Sequence, residues 1–255
     1  CELVLETFAE HGAPEDILWK AKPHIGTDRL RGVVKALRES VIENGGELRF
    51  LSPLKTINLK NGALASVSCP EGELGCEALI LACGHSARDT CEMLCARGLK
   101  LEAKAFSVGA RIEHPQSLID EAVYGKQAGD PRLPKAEYAL SAKTEGRAVY
   151  TFCMCPGGTV VAASSERGGL VTNGMSLYGR GGENANAALV AAVGPQDFGR
   201  APFDGYDFRR GLERAAFAAG GGDYTAPAQS LGAFLAKRAS CSSSLWFTLL
   251  NFLED

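Results

Sequence analysis

Leu30, Val33, Val34, Leu37 and Val41 recur at helical spacing, with Thr27 or Asp28 placed as cap and Gly45-Gly46 as stop. Ahead of this helix, residues 1–25 hold only short amphipathic fragments, broken by Gly12-Ala13-Pro14 and Pro23. Beyond it the period changes. Residues 47–51 read as a strand, and residues 54–59 and 63–68 flank Asn61-Gly62, a dipeptide that favours the two-residue hairpin turn. Residues 78–83 are continuously apolar, which predicts a strand buried on both faces of a parallel sheet. Gly84 breaks the run, and residues 86–97 are expected to form a helix closed by Gly98. This order of elements predicts α/β architecture carrying an inserted β-meander.

From about Lys104 the texture changes. Strands are predicted over 106–112, 138–142, 149–153, 159–163 and 170–172, separated by glycine-rich turns. Helical periodicity returns over 204–219, where Phe208, Leu212, Ala215, Ala216 and Ala219 share a face, and again over 227–237. The last stretch, 240–255, is Ser-rich and then apolar, and its pattern matches no element.

Composition narrows the class. With 45% hydrophobic and 22% charged residues in 255, the chain reads as globular rather than disordered. Its 27 Lys and Arg against 30 Asp and Glu form no basic footprint, so no nucleic-acid partner is expected. No run of 18 apolar residues occurs and no signal-peptide pattern opens the chain, which predicts no membrane span and a cytoplasmic, reducing location. Nine cysteines, odd in number and seated in apolar stretches, read as small buried hydrophobes rather than a disulfide framework. Cys153 and Cys155 would share a face of a strand, which leaves a thiol role open beside the buried-filler reading. No cysteine spacing is that of a zinc site, so no metal is expected.

The richest constellation is Ala78-Leu79-Ile80-Leu81-Ala82-Cys83-Gly84-His85-Ser86-Ala87-Arg88-Asp89, read as a buried strand that ends in a glycine turn and feeds a helix. A glycine turn at the carboxyl end of a parallel strand lets a cofactor approach the backbone, and the following helix N-terminus favours an anion. A plain strand-to-helix connection fits the same residues. Gly84-His85-Ser86 also matches the start of a nucleophile elbow. The fifth position there is Arg88 rather than Gly, and the only downstream histidine, His114, follows too closely for the strands a hydrolase needs. Of the other glycine clusters, Gly179-Arg180-Gly181-Gly182 meets only part of a dinucleotide fingerprint, and no P-loop sequence occurs. His24, just before the strongest helix, could face a ligand or simply be solvated; His114, before Pro115, reads as structural.

Five segments together resemble the uncharacterised FAD-dependent dehydrogenases, which are similar to the glutathione-reductase-like FAD/NAD(P)-binding oxidoreductases. They are Ala21-Lys22-Pro23-His24-Ile25-Gly26-Thr27-Asp28, Gly84-His85-Ser86-Ala87-Arg88-Asp89-Thr90 and Gly109-Ala110-Arg111-Ile112-Glu113-His114-Pro115. The others are Tyr150-Thr151-Phe152-Cys153-Met154-Cys155-Pro156-Gly157-Gly158, and Asn173-Gly174-Met175-Ser176 with Gly182-Glu183-Asn184-Ala185-Asn186. The likeness covers about residues 3–237. It implies a partial FAD/NAD(P)-binding Rossmann-like domain with an inserted, mainly β substrate domain. By that resemblance Ala82, Cys83, Gly84 and His85 form the strand end along FAD, Leu54 meets the adenine, and His24, Gly26 and Thr27 lie toward the flavin. No catalytic residue is implied.

The expected organisation is a partial FAD domain with β-meander over 1–103, a β-rich substrate domain over 104–195, a returning helical segment over 196–237 and a divergent tail over 238–255. The chain opens on Cys1, with its first methionine at Met93, and carries no GxGxxG unit. It is therefore read as an internal fragment of a flavin-dependent oxidoreductase, inactive when isolated and weak in FAD binding. Electrons would pass between FAD and a small-molecule substrate or NAD(P)H; substrate and oligomeric state stay open. The rival readings are a non-catalytic binding module and a serine hydrolase using Ser86.

Overall fold

The computed structural model describes residues 2–236 and the backbone of 246–254. The short helix α1 (Glu2–Glu10) and the longer α2 (Thr27–Glu43) open the chain, and Ile17, Val33 and Ala13 form the small core between them. A three-stranded meander follows, β1 (Thr56–Lys60), β2 (Ala63–Cys69) and β3 (Gly72–Gly75), paired in sequence order. Asn61 and Gly62 both have positive φ (54° and 79°), the twist that a tight hairpin requires. Against this sheet packs α3 (Arg88–Ala96), which closes a core of Ile57, Val67 and Leu94 with Leu54 at its edge.

The second half is built on one six-stranded antiparallel sheet. Its strands are β4 (Phe106–Pro115), β5 (Ser141–Thr144), β6 (Arg147–Cys155), β9 (Asn184–Val193), β10 (Ala228–Ser230) and β11 (Trp246–Glu254), in the order β10-β11-β4-β9-β6-β5. Helix α4 (Gln116–Tyr124) leaves the end of β4, and the hairpin β7 (Thr159–Ala162) and β8 (Thr172–Met175) forms a separate two-stranded sheet. The sheet's centre is β4 against β9, in unbroken register from Phe106 opposite Val193 to Pro115 opposite Asn184. Helices α5 (Pro195–Phe198) and α6 (Asp204–Ala219) bring Phe198 and Phe208 onto Phe106, and Ala216 onto Leu170. The short α7 (Leu231–Leu235) follows β10.

Several sequence expectations change. Every described strand pair is antiparallel, so the fold is mixed helices with antiparallel sheets. Residues 78–83 form no strand and stand in solvent, with Ile80 91% exposed. A continuous apolar run makes a buried strand only where strands flank it, and among the described residues none does. Residues 47–51 are likewise irregular, and the helix expected over 227–237 begins instead with β10. The strand over 184–193 was not predicted. Its alanines carry little β propensity, yet Ala185, Ala187 and Ala188 are fully buried because small side chains suit a central strand covered on both faces. The described cysteines are not buried filler either. Cys83 and Cys153 are exposed, while Cys69, Cys76, Cys91, Cys95 and Cys155 are half-buried, all as free thiols. Of the stretch 238–255, only the strand backbone of 246–254 lies within the described residues.

Candidate functional site

Four of the five segments singled out by sequence converge at one end of the large sheet. Gly26 ends the approach to α2 with φ +84°, and a Cβ there would overlap the Tyr178 backbone, so only glycine lets the two segments touch. The contact is held on both sides of that glycine. The Thr27 N–H donates to Ser176 O at 3.2 Å, His24 Nε2 lies 3.1 Å from Leu177 O, and Asp28 accepts from the Tyr178 N–H at 2.9 Å. This last bond holds the Asp28 carboxyl below the usual aspartate value. Residues 21–28 are thereby fastened to the loop after β8.

Behind that loop lies a buried polar seam. Arg111, in the middle of β4 and 1% exposed, donates to Asn186 Oδ1 at 2.7 Å, Asn173 Oδ1 at 3.1 Å and the Cys153 carbonyl at 3.1 Å. Its Nε and the Asn186 Nδ2 are without hydrogen-bond partners. Among the described residues no carboxylate pairs with this guanidinium; burial pulls Arg111 below its ordinary value, and the nearby Cys155 and Cys153 thiols oppose that shift. A buried cation surrounded by neutral carbonyls is held chiefly by hydrogen bonds, and each carbonyl it satisfies is fixed in turn.

Cys153 owes its position to a β-bulge. Between Phe152 and Cys155 the register of β6 on β9 slips by one residue, and Cys153 takes φ +43°. The bulge disrupts the simple alternation expected of Cys153 and Cys155, leaving the first exposed and the second half-buried, its Sγ 3.9 Å from Arg111 Nη1. Burial pushes the Cys153 thiol up, against the pull of Arg111. Next to the seam, His114 Nε2 lies 2.8 Å from the Tyr138 hydroxyl. Burial lowers the His114 pKa and raises that of Tyr138 to about 12, so this pair is neutral at ordinary pH. The His114 ring is thus buried and engaged by the Tyr138 hydroxyl.

Gln116 extends the seam from the start of α4. It donates to Asp120 Oδ1 at 2.8 Å and to Ala136 O at 3.0 Å, and accepts from the Gly157 N–H at 3.0 Å. In front of this network opens a cleft of about 780 Å³ between residues 20–24, 129–137 and 178–180.

The other sequence-predicted residues lie elsewhere. Ala82, Cys83, Gly84 and His85 are exposed, and the Arg209 guanidinium donates to His85 O at 3.3 Å. Leu54 belongs to the core beneath the small sheet. No hydrogen bond or ion pair described here joins residues 82–85 to residues 24–27. Arg88, in the same family-like segment, is 3% exposed and pairs with Glu213 at 2.6 Å and Glu166 at 3.0 Å, which ties α3 to α6. The residues that sequence reasoning passed over are Arg111, Asn173 and Asn186. An arginine in the centre of an apolar strand pattern was the signal available.

No group of His, Cys, Asp and Glu among the described residues is arranged to hold a metal ion. None of their helices is long and apolar enough to cross a membrane. Residues 105–248 match the family described as FAD-dependent protein, C-terminal domain-like, and the chain belongs to that family. An uncharacterised protein of Clostridium beijerinckii is 49% identical over 243 residues, covering 94% of this chain and 46% of its own length. The chain thus spans about half the length of that relative.

Proposed function

We propose that this chain is part of a flavin-dependent oxidoreductase, in which electrons pass between FAD and a small-molecule substrate or NAD(P)H. The observation that carries this reading is membership of an FAD-dependent family over 105–248. In this reading residues 1–103 contribute part of a Rossmann-like FAD domain, 104–195 are the substrate domain inserted into it, 196–237 return toward it, and 238–255 form a tail. The exposed run 78–83 would then become a parallel strand beside strands supplied by the rest of a longer protein.

The residues present fit FAD in part. Gly84 has φ +73° with open space where a Cβ would stand, and Ala82, Cys83 and His85 are exposed around it, as close approach of a flat cofactor requires. Leu54, Gly26, Thr27 and His24 would complete the contact. The chain has no GxGxxG between strand and helix, so the pyrophosphate would need backbone donors from elsewhere. FAD, when bound, accepts a hydride or electron pair; the protein's part is to position and polarise.

The 255-residue chain mixed with FAD and desalted is expected to retain little flavin absorbance, whereas the longer Clostridium relative is expected to retain it stoichiometrically. A stoichiometric flavin band on the short chain would overturn the fragment reading. Absence of flavin from the relative as well would overturn the oxidoreductase reading.

A further inference from the structure

The cleft between residues 20–24, 129–137 and 178–180 has about 780 Å³, within the range of small-molecule sites. Tyr124, Pro131, Leu133 and Pro134 supply apolar surface to its lining. Of its cations, Lys20 pairs with Asp16 at 2.5 Å, whereas Lys22 and Arg180 share a single carboxylate. Glu137 accepts from both Lys22 at 2.9 Å and Arg180 at 3.1 Å. Lys135 reaches Asp120 at 3.3 Å, but Asp120 already accepts from Gln116 at 2.8 Å and from the Ala136 N–H at 2.9 Å. Asp130, the remaining acid of the lining, is held by Arg132 through both carboxylate oxygens.

Lys22 and Arg180 thus face one carboxylate between them. Each spends a single side-chain N–H on it, so Arg180 keeps four of five donors and Lys22 two of three. Glu137 and Arg180 are only 27% and 22% exposed, so their charges are poorly screened, while Lys22 at 69% is free to swing. We infer that this cleft binds an anionic small molecule with a flat apolar body, its carboxylate or phosphate taken by Lys22 and Arg180 and its body laid on Tyr124, Leu133 and Pro134. Segment 20–24, which brings Lys22, is the one fastened by Gly26 to the Tyr178 loop, which brings Arg180. The anion would therefore bridge the same two segments that the fold already joins. This site stands whether or not the flavin reading does.

The test uses the 255-residue chain and three probes of one shape, 1-naphthoate, 1-naphthamide and 1-naphthylmethylamine, titrated by calorimetry. Saturable binding of naphthoate is expected, with naphthamide at least about tenfold weaker and the amine weaker still, as expected of charge-assisted bonds. Arg180→Gln and, separately, the exposed Lys22→Gln should each weaken naphthoate several-fold. Glu137→Gln should tighten it, because the competing carboxylate is gone while both cations remain. Lys143→Gln, on exposed β5 outside the cleft, should leave binding unchanged. Equal affinity for naphthoate and naphthamide, or weaker naphthoate binding by Glu137→Gln, would overturn the inference. A repeat with excess FAD separates two sources of the anion: displacement assigns it to the cofactor, and co-binding assigns it to a second molecule.

Discussion

Residues 104–193 and residues 47–97 show two ways an apolar pattern can meet its surroundings. In the first, β4 and β9 pair along their whole length, and even an arginine is accommodated at the centre because Asn173, Asn186 and a bulged carbonyl receive it. In the second, an equally apolar run, 78–83, lies exposed beside a three-stranded meander that does not extend to it. Hydrophobicity is the same in kind; what differs is whether the backbone finds partners. An unpaired backbone in an apolar stretch cannot bury its N–H and C=O groups without cost, so the stretch remains in water.

A charge pair ties the region 47–97 to α6, the helix that packs on β4 through Phe208, and breaking it should have the largest effect. Arg88 on α3 and Glu213 on α6 meet at 2.6 Å with side chains 3% and 6% exposed. Glu213→Ala leaves the buried guanidinium with Glu166 alone and is expected to cost about 3 kcal/mol, the lower end for a broken buried pair. Urea denaturation gives the size, and hydrogen exchange gives the place: amide protection in α3 should fall first. If α3 protection survives while the sheet is destabilised, the pair is a feature of the sheet half alone and the two regions are not coupled through it.

How much of this was legible follows the same division. Helix α2 and the β1–β2 hairpin could be read because their period and the Asn61-Gly62 turn are local facts. Strand β9 could not, since Asn-Ala-Asn-Ala-Ala-Leu-Val-Ala-Ala-Val specifies a strand only through the β4 surface it covers. Residues 78–83 could be read as to what they are suited for, but not as to whether flanking strands stand beside them. At the site, His24, Gly26 and Thr27 were singled out as lying toward the flavin; the structure sets His24 and Thr27 against the loop after β8. Arg111 stood out only as an arginine in an apolar strand pattern, and Asn173 and Asn186 not at all, because a polar seam assembled from three strands leaves no spacing in the chain.

The sheet half should also betray itself through pH. His114 is 3% exposed, and burial lowers its pKa from the ordinary 6.5 against weaker opposing effects from the Pro115 carbonyl and Glu113. The unfolded histidine takes a proton near pH 6.5 while the folded one resists it. Unfolded chains therefore bind more protons as pH falls below 6.5, and stability drops, by at most about 1.4 kcal/mol per pH unit. Urea midpoints between pH 7 and 5 should show this slope, and His114→Gln, which can still reach the Tyr138 hydroxyl, should flatten it. An unchanged slope in the variant would place the titrating group outside the seam.

The smallest effect is expected where sequence promised the deepest burial. Ile80 is 91% exposed, so Ile80→Asp should change the stability of this chain by no more than about 0.5 kcal/mol, as for surface substitutions generally. It should also reduce aggregation, because it interrupts an exposed apolar run that includes Leu79 and Leu81. Urea midpoints and light scattering on the two chains measure both. A loss as large as 2 to 5 kcal/mol, the scale of disrupting a packed aliphatic side chain, would mean that residues 78–83 are already packed in solution. The contrast between the two regions would then fail, and the strand read from the sequence would be present without partners from a longer protein.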